Sequence, residues 1–308
     1  MLVAAGTDNG VALLALTGDT WSLRAHGLYG QKVSDLIKTP IGVYACASNG
    51  LVYRTGDWDR WEPMFEGLTG SGVHSLAAAH GLIFAGMTPP MLFRSEDGGR
   101  NWVGLPGFTK VPGRDKWTSS APPYRPRVCR LLAFDNGLVV AGVEDGGLLL
   151  SPDLGQRWAE RCHGLPPTVN DLAMPEAETI LVTTRIGLFR SRDLGGTWEQ
   201  LKGGLPYDYT RGVACDAQDP RRALVGVRTS QGSGSLVRTL DGGFNWEVCS
   251  RGLPALKDEA FSRLFCGPGF QLAGTTKGQL FWSRDFGDLW MKVGVNLPPI
   301  GGLLLEES

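Results

Sequence analysis

Aspartate is the residue whose placement in this chain most invites a chemical reading. It stands third in a motif that recurs as Ser95-Glu-Asp97-Gly-Gly99-Arg-Asn-Trp102, Ser151-Pro-Asp153-Leu-Gly155-Gln-Arg-Trp158 and Ser191-Arg-Asp193-Leu-Gly195-Gly-Thr-Trp198. Thr239-Leu-Asp241-Gly-Gly243-Phe-Asn-Trp246 and Ser283-Arg-Asp285-Phe-Gly287-Asp-Leu-Trp290 continue it. Two shorter forms precede these, Thr17-Gly-Asp19-Thr-Trp21 and Thr55-Gly-Asp57-Trp-Asp-Arg-Trp61. Carboxylates at such regular spacing could bind cations, move protons or hold turns. The company they keep decides for turns: the carboxylate accepts backbone N–H bonds, the glycine takes positive φ, and the tryptophan anchors the hairpin in apolar packing. Asp97, Asp153, Asp193, Asp241 and Asp285 are therefore expected to be structural.

Other chemistry is sparse. The six cysteines (Cys46, Cys129, Cys162, Cys215, Cys249 and Cys266) form no CxxC pair and read as reduced thiols, neither a disulfide set nor a zinc site. His26 and His163 occupy equivalent repeat positions in different repeats, too far apart to share a metal. There is no Gly-x-Ser-x-Gly elbow, P-loop or metal-binding histidine pair, so neither a metal nor a cofactor is expected.

The elements that position these residues follow from the repeat. The terminal tryptophans are separated by 40, 41, 56, 40, 48 and 44 residues. Each repeat holds four short apolar runs, such as Val73–His80, Gly81–Gly86, Met91–Arg94 and Trp102–Leu105, or Val169–Met174, Ile180–Thr184, Gly187–Arg190 and Trp198–Leu201. Runs of this length between Gly, Asp and Asn are strands of a meander, and four-stranded units recurring at this period are propeller blades. The expected fold is all-β, one domain over residues 1–308, a seven-bladed propeller of four-stranded antiparallel blades. The chain starts on a second-strand sequence, Leu2–Thr7, and finishes on an unpartnered first-strand sequence, Ile300–Glu306. The C-terminal strand should complete blade one and remove a sheet edge. That makes the N-terminus a strand rather than a signal peptide, which also lacks a basic leader.

One stretch breaks the period. The connection between blades three and four, residues 106–126, is far longer than the rest and holds Lys110, Arg114, Lys116, Trp117, Tyr124 and Arg125, with Arg127 and Arg130 just beyond. A loop this long is either a recognition element or a flap over one end of the tunnel. Trp, Tyr and Arg are the residues that dominate binding hot spots. Aligning the entry positions of the first strands places Asp35, Ser75, Arg130, Asp171, Gly212, Arg263 and Gly302 in one ring, preceded by Ser34, His74, Cys129, Asn170, Arg211, Ser262 and Gly301. Two aspartates and two arginines there could bind a polar ligand, steer a charged partner or bridge neighbouring blades. His74 is the histidine nearest this ring. Tyr207, Asp208 and Tyr209 fall on the same face, opposite the recurrent turns.

The Ser-x-Asp-x-Gly-x-x-Trp elements resemble the Asp-box, or BNR, repeat superfamily over essentially the whole chain. In plan the sequence is most similar to the single-propeller photosystem II stability/assembly factor-like proteins, a resemblance that implies binding of other proteins. Sialidases of the superfamily carry an Arg-Ile-Pro element, whereas Arg185-Ile186-Gly187 stands here in the fifth repeat. The xyloglucanase-like family places a catalytic aspartate in a Thr-Asp-x-Gly-Gly turn; Gly6-Thr7-Asp8-Asn9-Gly10 is similar but lacks the second glycine.

The reading is thus a non-catalytic scaffold that binds another protein or complex through the face opposite the turns. Its candidate contacts are His74, Arg114, Lys116, Trp117, Tyr124, Arg125, Arg127, Arg130, Tyr207, Tyr209, Arg211 and Arg263. The rivals are an enzyme with carboxylates among Asp8, Asp35 and Asp171, and a stand-alone binder of a glycan or small polar ligand. Glycoside hydrolysis needs two carboxylates roughly 5–9.5 Å apart, and Asp35 and Asp171 belong to nearly opposite repeats. With 30 Lys and Arg against 31 Asp and Glu there is no global field for nucleic acid. No apolar run is long enough for a membrane span, and a cytoplasmic location is expected.

Overall fold

The middle strands of the repeats are near-continuous apolar runs, as expected where a sheet is covered on both faces. Val139–Val143 and Gly147–Ser151 are buried at every residue. In the computed structural model, which describes residues 1–119, 125–206, 208–229 and 232–306, these runs build seven four-stranded antiparallel sheets, the blades of a seven-bladed β-propeller. In six blades the sheet order follows the chain. Blade one instead runs Ile300–Glu306, Leu2–Thr7, Gly10–Thr17, Thr20–Gly27. The terminal strands pair from Leu2 with Glu306 to Thr7 with Ile300, so the C-terminal strand completes the first blade.

By contacts the chain forms two compact units. The first comprises Met1–Thr7, Ala12–Arg24 and Asn170–Ser308; the second comprises Asp8–Val11 and Ala25–Val169. Each has its cores between successive blades. In the second unit Phe84, Leu92, Val128, Leu131, Val139 and Leu149 join blades three and four. Tyr44, Val52, Leu76, Ile83, Phe93 and Trp102 do the same for blades two and three. In the first unit Leu188, Leu201, Val213, Val225 and Trp246 fill the space between blades five and six, and Leu236, Phe261, Phe281 and Trp290 that between six and seven.

The turns between third and fourth strands share one bonding scheme. The Ser95 hydroxyl donates to Asp97 Oδ1 at 2.9 Å and accepts the Gly99 N–H at 2.8 Å, while Asp97 Oδ1 accepts the Asn101 N–H at 2.9 Å. The same bonds recur around Ser151 and Asp153, Ser191 and Asp193, Thr239 and Asp241, and Ser283 and Asp285. The backbone passes through two consecutive left-handed residues, for example Leu154 at φ +56° and Gly155 at +88°. Glycine suits the second, because its positive φ, +88° at Gly155, is one that a residue with a Cβ adopts only under strain.

These turns also tie blade to blade, through an arginine one residue before the Ser or Thr. Arg94 Nη1 donates to Leu154 O at 3.2 Å, Arg238 Nη1 to Phe286 O at 2.9 Å, and Arg190 Nη1 to Gly242 O, each acceptor lying in the turn of the next blade. Arg190 and Arg238 are held in register by cross-strand Glu199 and Glu247 at 2.6 and 2.7 Å.

Candidate functional site

The entry positions of the first strands are where the sequence places two of its three candidate catalytic carboxylates, Asp35 and Asp171. The backbone is irregular there: the ladder shifts register between Val33 and Asp35, Val73 and Ser75, Val128 and Arg130, and Phe261 and Arg263. A bulge admits one extra residue and re-aims the side chains on either side of it. In blades two, three and seven the re-aimed side chains bond to the next blade, and Arg130 of blade four reaches back to blade two.

Asp35 is 7% exposed. One oxygen accepts the Leu36 N–H at 3.0 Å and the other accepts the Leu76 N–H of blade three at 3.0 Å. Arg130 Nη1 lies 3.6 Å from the first oxygen. Asp171 repeats the arrangement between blades five and six, accepting from Leu172 N–H at 2.9 Å and Val213 N–H at 3.3 Å. Neighbouring entry residues do likewise. The Ser75 hydroxyl donates to Val128 O, Asn170 Nδ2 to Thr210 O, Ser34 Oγ to Val73 O, and Arg263 Nε to Gly301 O. Asp8 is exposed and sits 2.9 Å from Lys32 Nζ, in a loop where Asn9 Oδ1 accepts the Gly30 N–H. All three carboxylates therefore already have partners within the fold.

In the second unit the candidate binding residues group on the side of the second-to-third turns. The described part of the long connection is not a free loop. It forms a helical turn at Pro106–Thr109 and a 3-10 turn at Arg114–Lys116. Phe108 and Val111 belong to the core between blades three and four. Arg114 Nη2 donates to Pro90 O at 2.9 Å, and the half-buried Trp117 packs on Phe108 with ring centroids 5.7 Å apart. Lys116, Arg125 and Arg127 remain exposed, Arg127 Nε lying 3.3 Å from Glu144. His74 is held by burial, and then by the charges of Arg127 and Lys32, at a pKa of about 4, so it is neutral at neutral pH.

Tyr124 and Tyr207 lie outside the described residues. In the first unit Tyr209 opens the first strand of blade six opposite Arg228, the Arg211 carbonyl accepts the Thr183 hydroxyl at 2.5 Å, and Arg263 Nη1 donates to Ser262 O. Among the described residues no group of three or more His, Cys, Asp or Glu side chains could hold a metal ion, and no helix is long and apolar enough to cross a membrane. One feature went unread in the sequence. A cavity of about 240 Å³ lies between blades five and six, lined by Arg190, Arg192, Arg221, Phe244 and Trp246 among others. Its residues are separated by up to 71 positions, 175 to 246, and no local motif announces it.

No protein-family model matches the chain, and no curated protein matches it. Solved structures do. The GH74 xyloglucanase from Xanthomonas campestris matches 95% of this chain with a TM-score of 0.71 at 16% identity. The chain spans about half of that enzyme, 52% of its length. YCF48 bound to D1 peptide matches with a TM-score of 0.63 at 20% identity, over 86% of this chain and 82% of that one. The WD40 β-propeller domain of Doa1 gives 0.62 at 15% identity, over 88% and 86%. These likenesses show the fold. Function has to be argued from the chain's own residues.

Proposed function

We propose that this chain is an Asp-box propeller acting as a non-catalytic, protein-binding scaffold, through the face opposite the recurrent turns. The observation that carries the reading is the engagement of the carboxylates. Asp35 and Asp171 each accept two backbone N–H groups, one from their own strand and one from the next blade. A general acid or nucleophile has to reach a substrate, and these oxygens face the protein's own amides. The same face of the second unit presents Lys116, Arg125 and Arg127 to solvent on a connection pinned to the core by Phe108 and Val111. Charged contacts on a rigid support recognise a protein surface at little ordering cost.

Among the solved structures of similar fold, YCF48 is described with a bound peptide, which agrees with this use of a propeller. The test is affinity capture from the native host with the tagged protein, beside a Lys116→Glu, Arg125→Glu, Arg127→Glu variant. Reversing exposed charges is preferable to deleting residues 106–126, which would strip Phe108 and Val111 from the core. A stoichiometric protein partner that the variant loses supports the scaffold. Capture of none by the intact protein, or equal capture by both, overturns it.

A further inference from the structure

Blade one ends differently from the others. In the other six blades the outermost strand spans two or three residues, as at Glu62–Met64 and Ala159–Glu160. That of blade one, Thr20–Gly27, spans eight, and among the described residues its sheet has no strand beyond it. The turn explains the length. In blade four the recurrent turn takes up seven residues, 152–158, before the fourth strand starts. Blade one has the two-residue turn Gly18-Asp19, with Gly18 at φ +63°, so Thr20 already belongs to the strand.

Five residues of this edge, Thr20–Arg24, lie in the first unit. Trp21 is 8% exposed and fixes the strand to blade seven, its ring 5.9 Å from Trp282 and 6.3 Å from Phe270. Around it Thr20, Ser22, Leu23 and Arg24 are exposed, Leu23 at 51%. An edge strand presents a row of open backbone N–H and C=O groups, and proteins ordinarily blunt such edges by shortness or by charge. Five of the other six outer strands have both protections, their charges being Glu62, Glu160, Glu199, Glu247 and Lys292. The run Thr20-Trp21-Ser22-Leu23 carries no charge. A long edge on an anchored strand is completed by another extended backbone.

The residues of the edge decide which backbone. An antiparallel copy of Thr20–Arg24, related by a two-fold axis at Ser22, sets Ser22 opposite Ser22, Trp21 opposite Leu23 and Thr20 opposite Arg24. Hydroxyl then meets hydroxyl, aromatic meets aliphatic, and no like charges stand opposite each other. Centring the axis on Arg24 would instead set two guanidinium groups face to face. A two-fold interface requires a surface that complements itself, and the Ser22-centred pairing meets that requirement.

We propose that Thr20–Arg24 pairs antiparallel with the same segment of a second copy of this chain, joining two first blades edge to edge. Five paired residues make a small interface, so the dimer is weak and depends on concentration. The pairing does not draw on the proposed protein-binding face.

The experiment is analytical ultracentrifugation of the full chain between about 1 and 500 µM, a range suited to weak association. The expected result is one chain mass at the low end and a rise toward two at the high end. Ser22→Lys alters only an exposed side chain and sets two like charges opposite each other beside Arg24, so it should weaken association about tenfold. Mixed with an equal amount of Ser22→Glu, it should regain the affinity of the parent chain or exceed it, which a misfolded variant would not do. One chain mass at every concentration overturns the inference, as does a dimer that Ser22→Lys leaves unchanged or that the mixture fails to restore. A chain that stays single, while Ser22→Lys loses a protein captured from the native host, assigns the edge to another protein and likewise overturns self-pairing.

Discussion

Two sets of aspartates divide the work of holding this propeller together, and they do it in opposite environments. Those of the recurrent turns are exposed or half-buried and act within a single hairpin, closing the turn around a Ser or Thr hydroxyl and a left-handed glycine. Asp35 and Asp171 are buried and act between blades, each joining two adjacent first strands through their amides. The same functional group is therefore a local organiser in one place and a long-range clip in the other. Solvent can replace the first role in part, because a freed turn amide hydrates. It cannot replace the second, where the amide left behind is buried.

That contrast makes an ordered set of predictions. Asp171→Ala should lower the unfolding free energy by about 3 kcal/mol, the order expected when a buried charged acceptor is removed and its N–H partners are orphaned. A loss no greater than that of a turn variant would erase the distinction. Asp285→Ala should cost about 1 kcal/mol, since its turn amides stay accessible to water. Both are read from urea unfolding at fixed pH.

A smaller effect is carried by pH. The Asp97 carboxyl is held down at about 2, against an ordinary 3.8, by the Asn101 backbone N–H and then its side-chain amide. Asp241 is held at about 2 in the same way by Asn245. For Asp153 burial pushes upward, but bonds from Arg157 outweigh it and leave it at about 2. A folded pKa below the unfolded one means stability that is present above the ordinary value and lost as pH falls through about 2. His74 obeys the same sign at higher pH: its contribution is complete above 6.5 and is lost as pH falls through about 4. Stability should therefore fall in two stages on acidification, and His74→Asn should remove the first. An unchanged profile between pH 6.5 and 4 in that variant would show that the histidine is already solvated.

Much of the fold was legible because its signals are local and repeated. A Ser-x-Asp-x-Gly-x-x-Trp turn needs its hydroxyl, carboxylate and glycine within eight residues, so the period of the blades is written directly in the chain. The pairing of Ile300–Glu306 with Leu2–Thr7 followed from counting strands. The alignment of first strands also reached Asp35, Ser75, Arg130 and Arg263 as equivalent positions, and the register shifts fall beside each of them. What those side chains touch was beyond reach, because the Leu76 amide that Asp35 accepts is 41 residues away on another blade. The long connection hid its core residues for a different reason. With no period to follow, Phe108 could not be told from an exposed loop aromatic, although it is fully buried. The cavity between blades five and six was the least legible, being assembled from strands and turns of two blades distant in sequence.

The most direct test of the account is the unfolding free energy of Asp35→Ala against the parent chain. A clip between blades two and three predicts a loss of about 3 kcal/mol, because Leu76 N–H and the Arg130 guanidinium both lose a buried acceptor. A variant as stable as the parent, or more stable, would carry the signature of a carboxylate kept for chemistry at the expense of stability, and would contradict the scaffold reading.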